Sequence, residues 1–404
     1  MSELQETDFG NIPKAWSVAK IADLKANDKR AIAMGPFGSN IKAENFVAEG
    51  VPVIRGTNLN YSRYVDGNFV FLKEEKADEL SGSNCKPGDL VFTHRGTIGQ
   101  VGLIPHGKYA RYVISQSGMK LTLNPDLMDS DFLLYFFKSE YGQYQILKYE
   151  SQVGVPSISN PLTSLKEIQV PVPKIEEQKA IASVLSSLDD KIDLLHRQNT
   201  TLERMAETLF RQWFVEEAQE DWEDGTLGEV VEIFDNLRIP LSKMERDKKK
   251  DGVLYPYYGA AQIMDYINDY IFDGEYILMG EDGTVRTDEG YPVLQYATGK
   301  FWVNNHTHVL KAKPPYSNFL IWNYLSKKNI DEIVTGAVQP KINQGNLKAL
   351  DFPKLPEHLV HEFNSQTEPM LTKINNNKKQ IQTIEKLRDN LLPKLMNGEV
   401  RVYE

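Results

Sequence analysis

Few residues in this 404-residue chain are spaced for catalysis. Lys313-Pro314-Pro315-Tyr316 comes nearest to the acidic- or amide-Pro-Pro-aromatic motif of a DNA methyltransferase. Its leading lysine has donors only and cannot accept from a target amino group, so the segment reads as a turn before a helix. GTIGQVG, Gly96 to Gly102, misses the glycine spacing of a dinucleotide loop. His306 and His308 alternate by two and would share a strand face able to hold a metal. With no third ligand near them in the sequence, they read as strand-surface histidines, and His358 and His361 as helix-surface ones. Asp189, Asp190 and Asp193 read as a solvated helix flank. The single cysteine, Cys85, excludes an internal disulfide and a thiolate zinc cluster. No catalytic, cofactor-binding or metal residue is assigned.

Binding chemistry is better represented. GPFGSNIK, Gly35 to Lys42, is a glycine-rich loop ending in a lysine that can approach phosphate closely. Arg55 and Arg95 each stand where an apolar run gives way to glycine, and arginine grips phosphate or bridges a guanine edge. GVPSIS, Gly154 to Ser159, and GAVQPKIN, Gly336 to Asn343, occupy matching places and supply Ser157 and Lys341 as backbone contacts. Tyr257, in YPYYG, is a candidate for stacking or hydrogen bonding. Each of these has a rival as a structural turn or surface pair. The basic run at Arg246 and Lys248 to Lys250 reads as a flexible exposed loop. With 46 basic against 56 acidic residues the net charge is −10, which excludes a uniformly basic nucleic-acid binder and leaves local patches.

These candidates sit in a sequence that repeats itself. LTSLKEIQVP ends at Pro171 and QGNLKALDFP at Pro353, and the same offset lays Leu202 to Phe214 over Ile384 to Met396. GDLVFTHRGT, from Gly88, resembles GEYILMGEDGT, from Gly274. DFLLYF, from Asp131, resembles NFLIWN, from Asn318. Apolar runs such as VPVIRG, DLVFT and EYILM predict strands, with one helix near Asp131 to Tyr144 and another near Asn318 to Ser326. The fold class is α+β, with two globular domains separated by two long helices that form an antiparallel coiled coil. The repeat is taken as pseudo-twofold.

The helical blocks carry a heptad seam. It runs through Ile181, Leu185, Leu188, Ile192, Leu195, Asn199, Leu202, Ala206, Leu209 and Trp213. Its counterpart runs through Phe363, Thr367, Met370, Ile374, Asn377, Ile381, Ile384, Arg388, Leu391 and Leu395. From Ile181 to Trp213 such a rod is roughly 48 Å long. A buried asparagine is costly unless paired, and pairing fixes register. Setting Asn199 opposite Asn377 matches Leu195 with Ile381, Ile192 with Ile384, Leu185 with Leu391, Ile181 with Leu395 and Trp213 with Phe363. Leu188 then faces Arg388, whose stem would cover the leucine and whose head would reach water. The rival places both asparagines in solvent. Leu194, Met205 and Phe210 lie off the seam, on a face suited to partners or to ordinary packing.

Two unlike domains on a rigid spacer suit a split target, such as DNA half-sites roughly 34–36 Å apart. VPVIRGTNL (Val51 to Leu59), GDLVFTHRGTIG (Gly88 to Gly99), NPLTSLKEIQVPVPKIEEQKAIASVLSSLDDKIDLLHRQN (Asn160 to Asn199) and LLPKLMNGEVRV (Leu391 to Val402) carry a family likeness. Together they make the chain resemble the specificity subunit of a type I restriction–modification system. The resemblance implies target-recognition domains over 1–173 and 218–356, a central helix over 174–217, and a C-terminal helix and tail over 357–404. It implies a DNA-binding subunit that chooses a bipartite sequence and performs no chemistry itself. Two methyltransferase subunits would dock on the helices, bring S-adenosylmethionine and modify an adenine in each half. Restriction subunits would bring ATP- and magnesium-dependent translocation and cleavage. Glu281 and Asp282 stand where the first repeat has His94 and Arg95, so contacts need not carry over between the repeats. A coiled-coil scaffold with two protein-binding domains is the alternative. The N-terminus has no charged-then-apolar leader, and the apolar run Phe132 to Phe137 is too short for a bilayer, so a cytoplasmic protein is expected.

Overall fold

VPVI, LVFT and YVI are apolar at nearly every position, the pattern of strands covered on both faces. They fold as Val51–Ile54, Leu90–Thr93 and Tyr112–Ile114, buried throughout. The computed structural model describes residues 4–7, 10–59, 63–151, 154–218, 222–336 and 338–402. The chain divides into two units, Met1–His196 with Lys378–Glu404, and Arg197–Asn377.

In the first unit, Val101–Leu103, Leu90–Thr93, Gly118–Leu121 and Ile32–Met34 lie side by side in that order, all antiparallel. A five-stranded sheet accompanies them, in which Val51–Ile54 and Tyr112–Ile114 run parallel. Helix Ser130–Lys138 buries every residue from Phe132 to Phe137, which suits a helix apolar all round. The helix expected to reach Tyr144 is instead two. Ser139 is extended, and its hydroxyl accepts from Gly142 N at 3.2 Å to start a second helix, Glu140–Leu147.

The second unit repeats the four-stranded order with Leu294–Val303, Phe272–Gly280, Thr307–Ala312 and Val231–Ile233, again antiparallel. Beyond that shared core the units differ. Here Tyr255–Tyr258 and Ile263–Ile267 extend the same sheet to six strands. Helix Asn318–Leu325 packs beneath it, with Phe319 stacked on Phe363 at 6.4 Å between ring centroids.

Two long helices, Ile175–Arg211 and Glu357–Met396, enter both units. Their seams are apolar because each unit needs a lid for its core. Ile181, Leu185, Leu391 and Leu395 join the first unit's main cluster. Ile192, Leu195, Ile381 and Ile384 form a cluster of their own. In the second unit Trp213 meets Phe363 at 6.3 Å between ring centroids. Phe210, off the seam and open in the sequence to partners or to ordinary packing, is buried here against Phe214 and Phe363. Leu194 and Met205 remain exposed. Asn199 and Asn377 are both buried, and Asn377 Nδ2 donates to Asn199 Oδ1 at 2.8 Å. The C-terminal helix continues through Pro369, which has no N–H for the carbonyl of Ser365.

Two expectations about the helix surface are corrected. Arg388 does not send its head to water; Nη1 donates to Asp189 Oδ1 at 2.9 Å. Asp189 is not solvated either. It is buried and also accepts from Tyr135 Oη at 2.8 Å, while neighbouring Asp190 pairs with Arg63 at 3.1 Å. An arginine on an apolar seam is tolerated because a buried carboxylate one step away neutralises it. Among the described residues no helix is long and apolar enough to cross a membrane.

Candidate nucleic-acid interface

The strand directions of the first unit bring its loop residues to one edge. Val51–Ile54 and Tyr112–Ile114 are parallel, so both end there, and Ser115 N donates to Ile54 O at 2.9 Å beside Arg55. Leu90–Thr93 ends at the same edge, where Gly118–Leu121 begins, and His94 N donates to Ser117 O at 2.9 Å. Ile32–Met34 also ends there, and Gly35 N donates to Gly118 O at 2.9 Å. Four loops thus leave the sheets side by side.

The loop carrying Arg95 is clamped. Arg95 bridges Ser157 in a short antiparallel pair. Ile158 N donates to His94 O at 2.8 Å, and Gly96 N to Pro156 O at 2.9 Å. Gly96 has φ of 85°, a conformation glycine adopts without strain, so the chain turns back immediately after Arg95. The Thr93 hydroxyl donates to Thr97 O and accepts from Gln100 N, closing the turn from inside. The His94 ring lies 3.0 Å from Gln116 O, and burial lowers its pKa, with the neighbouring Arg95 charge adding to that despite the opposing backbone hydrogen bonds. The neutral ring is structural, and Arg95 is left exposed above it.

The second unit builds the same clamp from different side chains. Asp282 bridges Lys341, Ile342 N donates to Glu281 O at 2.8 Å, and Gly283 N donates to Pro340 O at 3.0 Å. Gly283 has φ of 76°, matching Gly96. Glu281 is flanked by two cations, and Asp282 by a histidine ring. Arg238 Nη1 reaches Glu281 Oε2 at 2.5 Å, Lys341 Nζ lies 3.4 Å from Glu281 Oε1, and His306 Nδ1 lies 2.7 Å from Asp282 Oδ1. Behind them, His308 Nδ1 faces Asp235 Oδ2 at 2.6 Å and Nε2 faces Ile342 O at 2.9 Å. Both ring nitrogens face acceptors, so the ring is held from both sides. Burial would raise the pKa of Asp235, but the hydrogen bond and charge of His308, the Val309 N–H and Arg238 bring it below the usual value.

His308 is therefore not the surface histidine read from the sequence; it is 1% exposed. Asp235, Glu281 and His308 offer three ligand atoms within 4.8 Å of one another. Arg238, 3.7 Å from Asp235 as well, already supplies the positive charge a cation would bring. Asp235 and Arg238 were missed because Asp235 lies far from His308 in sequence, where no local spacing signals the pair.

Of the candidates, Arg95 and Ser157 come together, and Arg55 flanks the same edge, exposed. Lys42 is exposed on the loop leaving Ile32–Met34, and its Nζ lies 3.8 Å from Glu44. Lys341 bridges Asp282 through its backbone and pairs its ammonium with Glu281, and Ala337 of its loop lies outside the described residues. Tyr257 is corrected. Its ring is 1% exposed and packs with Ile267 and Trp302, and its hydroxyl accepts from Leu241 N at 2.9 Å. No base can stack on it. Nor is the basic run a free loop, since Arg246 sits on the capped helix Lys243–Asp247 and pairs with Asp265 at 3.0 Å, and Lys249 pairs with Asp269 at 2.9 Å. Lys313 is spent on the carbonyls of Gly228 and Glu229, at 2.9 and 3.1 Å.

The same α+β unit is built twice, each time with a clamped loop edge. The chain matches the type I restriction modification DNA specificity domain over residues 13–204 and again over 219–386, and it belongs to that family. It is 28% identical over its whole length to the type I restriction enzyme MjaIX specificity subunit of Methanocaldococcus jannaschii, covering 98% of that relative. Over 36% of the chain it is 33% identical to a putative type I restriction enzyme specificity subunit of Haemophilus influenzae, covering 36% of that protein. The crystal structure of the type I restriction–modification S subunit from M. genitalium shares the fold, with a TM-score of 0.59 and 20% identity over 98% of this chain and 99% of that one.

Proposed function

We propose that this specificity subunit reads a bipartite DNA sequence with one edge per unit and leaves the chemistry to partners. The carrying observation is the repeated clamp. One backbone arrangement presents Arg95 beside Ser157 in the first unit and Asp282 beside Lys341 in the second, where the Lys341 ammonium pairs with Glu281. A shared scaffold with unlike side chains is what two unlike half-sites require.

In this reading the recognition domains span 1–173 and 218–356, joined through helices over 174–217 and 357–404. Two methyltransferase subunits dock on the helices, carry S-adenosylmethionine and modify an adenine in each half. Restriction subunits, where they accompany the complex, add ATP- and magnesium-dependent translocation and cleavage. The complex acts in the cytoplasm, where chromosomal DNA is reached.

The test is methylome sequencing of cells expressing this chain with its methyltransferase, against cells lacking this chain. A split motif modified only in the first supports the reading. A stable complex whose modification is absent, or identical without this chain, overturns it.

A further inference from the structure

One side chain at the first unit's loop edge has no packing among the described residues that explains it. Phe37 follows Ile32–Met34 in the turn Gly35-Pro36-Phe37-Gly38, and its ring is 83% exposed, against 38% for Phe46. The turn beneath it is closely fitted. Pro36 is buried, and a Cβ on Gly35 would lie 1.8 Å from Ser115 O, so only glycine passes there. A Cβ on Gly38 would lie 2.5 Å from Gln116 Oε1. At Gly35 the backbone is thus pressed onto the Ser115–Gln116 turn, whose Gln116 carbonyl lies 3.0 Å from the ring of His94, next to Arg95. A fixed base holds a bare aromatic ring in water, which is unfavourable unless something covers it.

We propose that Phe37 is an apolar wedge that enters the base stack of bound DNA in the first half-site. The inference rests on the reading that this edge faces DNA. Its neighbours favour a nucleic acid over a protein groove. Lys42, Arg55 and Arg95 leave the same edge and are exposed, so the ring is accompanied by charges suited to phosphates. Apolar side chains inserted between base steps unstack them and kink the duplex. The second unit has an aliphatic counterpart. Leu237 and Ile239 follow its equivalent strand, Val231–Ile233, and are 45% and 47% exposed.

The test uses the full subunit with its methyltransferase and a duplex bearing the motif mapped by methylation. Affinity is measured across salt concentrations, and bending by energy transfer between the duplex ends. Phe37→Ala should weaken binding about tenfold, as for loss of one base–aromatic stack. It should reduce the bend and leave the slope of log affinity against log salt unchanged, because no phosphate contact is removed. Phe37→Leu should keep most of the affinity and the bend. Arg95→Ala should instead make the slope shallower. Wild-type affinity and bend in Phe37→Ala overturn the wedge while leaving the DNA-facing edge intact. So does normal DNA binding with weakened methyltransferase association, which would assign the ring to a protein partner. Absence of sequence-dependent binding by the wild-type complex sinks the edge reading and the wedge together. The melting temperature of Phe37→Ala should match wild type, since the ring packs on little.

Discussion

Arg95 and Asp235 show how differently two charged residues can be used on the same scaffold. Arg95 is held out by the backbone around it, with Gly96 turning away and Ser157 alongside. Arg95→Ala should leave stability within about 0.5 kcal/mol, as for an exposed side chain. It should reduce the salt slope of DNA affinity by about one, the signature of a lost phosphate contact. Asp235 is 9% exposed and works inward, on His308 and Val309 N. Its carboxyl is depressed in the folded state, so its contribution is present above the unfolded pKa and lost as pH falls through the folded one. Asp235→Asn should cost the second unit about 2 kcal/mol at neutral pH, by loss of a charged hydrogen-bond acceptor. Melting curves of mutant and wild type should converge as the solution is acidified below the usual carboxylate range. The turn that holds Arg95 out was legible because a charge beside glycine is a local signal. The role of His308 was not, because its spacing from His306 says nothing of Asp235. Tyr257 misled for a related reason: in YPYY the alternation shows that two faces exist, but only the pairing with Trp302 shows which is covered.

Among the elements, the helices were the most readable and the sheets the least. A heptad seam is written in consecutive residues, so the positions of Leu195, Ile381, Trp213 and Phe363 follow from spacing alone. Strand neighbours such as Leu90–Thr93 and Gly118–Leu121 are set by pairing across the chain, and short apolar runs do not name their partners. The helix break at Ser139 went unread because a serine within an apolar stretch does not announce a cap. The seam makes its own prediction. Asn377→Leu removes the donor that reaches Asn199 Oδ1 and leaves a buried amide unpaired, which should cost about 1–3 kcal/mol by chemical denaturation. Replacing both asparagines with leucine should recover that loss, since two apolar residues of similar size need no partner. If the double mutant is no more stable than the single, the two amides are not coupled.

For the whole molecule, the four-stranded core is built twice, and in the proposed reading each copy serves one half of the target. Replacing residues 222–356 with the matching segment of another family member should alter one half of the methylated motif and preserve the other, read by methylome sequencing. Alteration of both halves would show that the units do not read independently. The partition of the chain has a further consequence, in the order of its making. The second unit, Arg197–Asn377, is continuous, whereas the first needs Met1–His196 and Lys378–Glu404. Leu395 and Met396, buried in the first unit's core, are translated only after the whole second unit has been made. A chain stopped at Asn377 should therefore keep its second unit resistant to proteolysis and have its first unit digested. On the ribosome, the half that begins first is the half that finishes last.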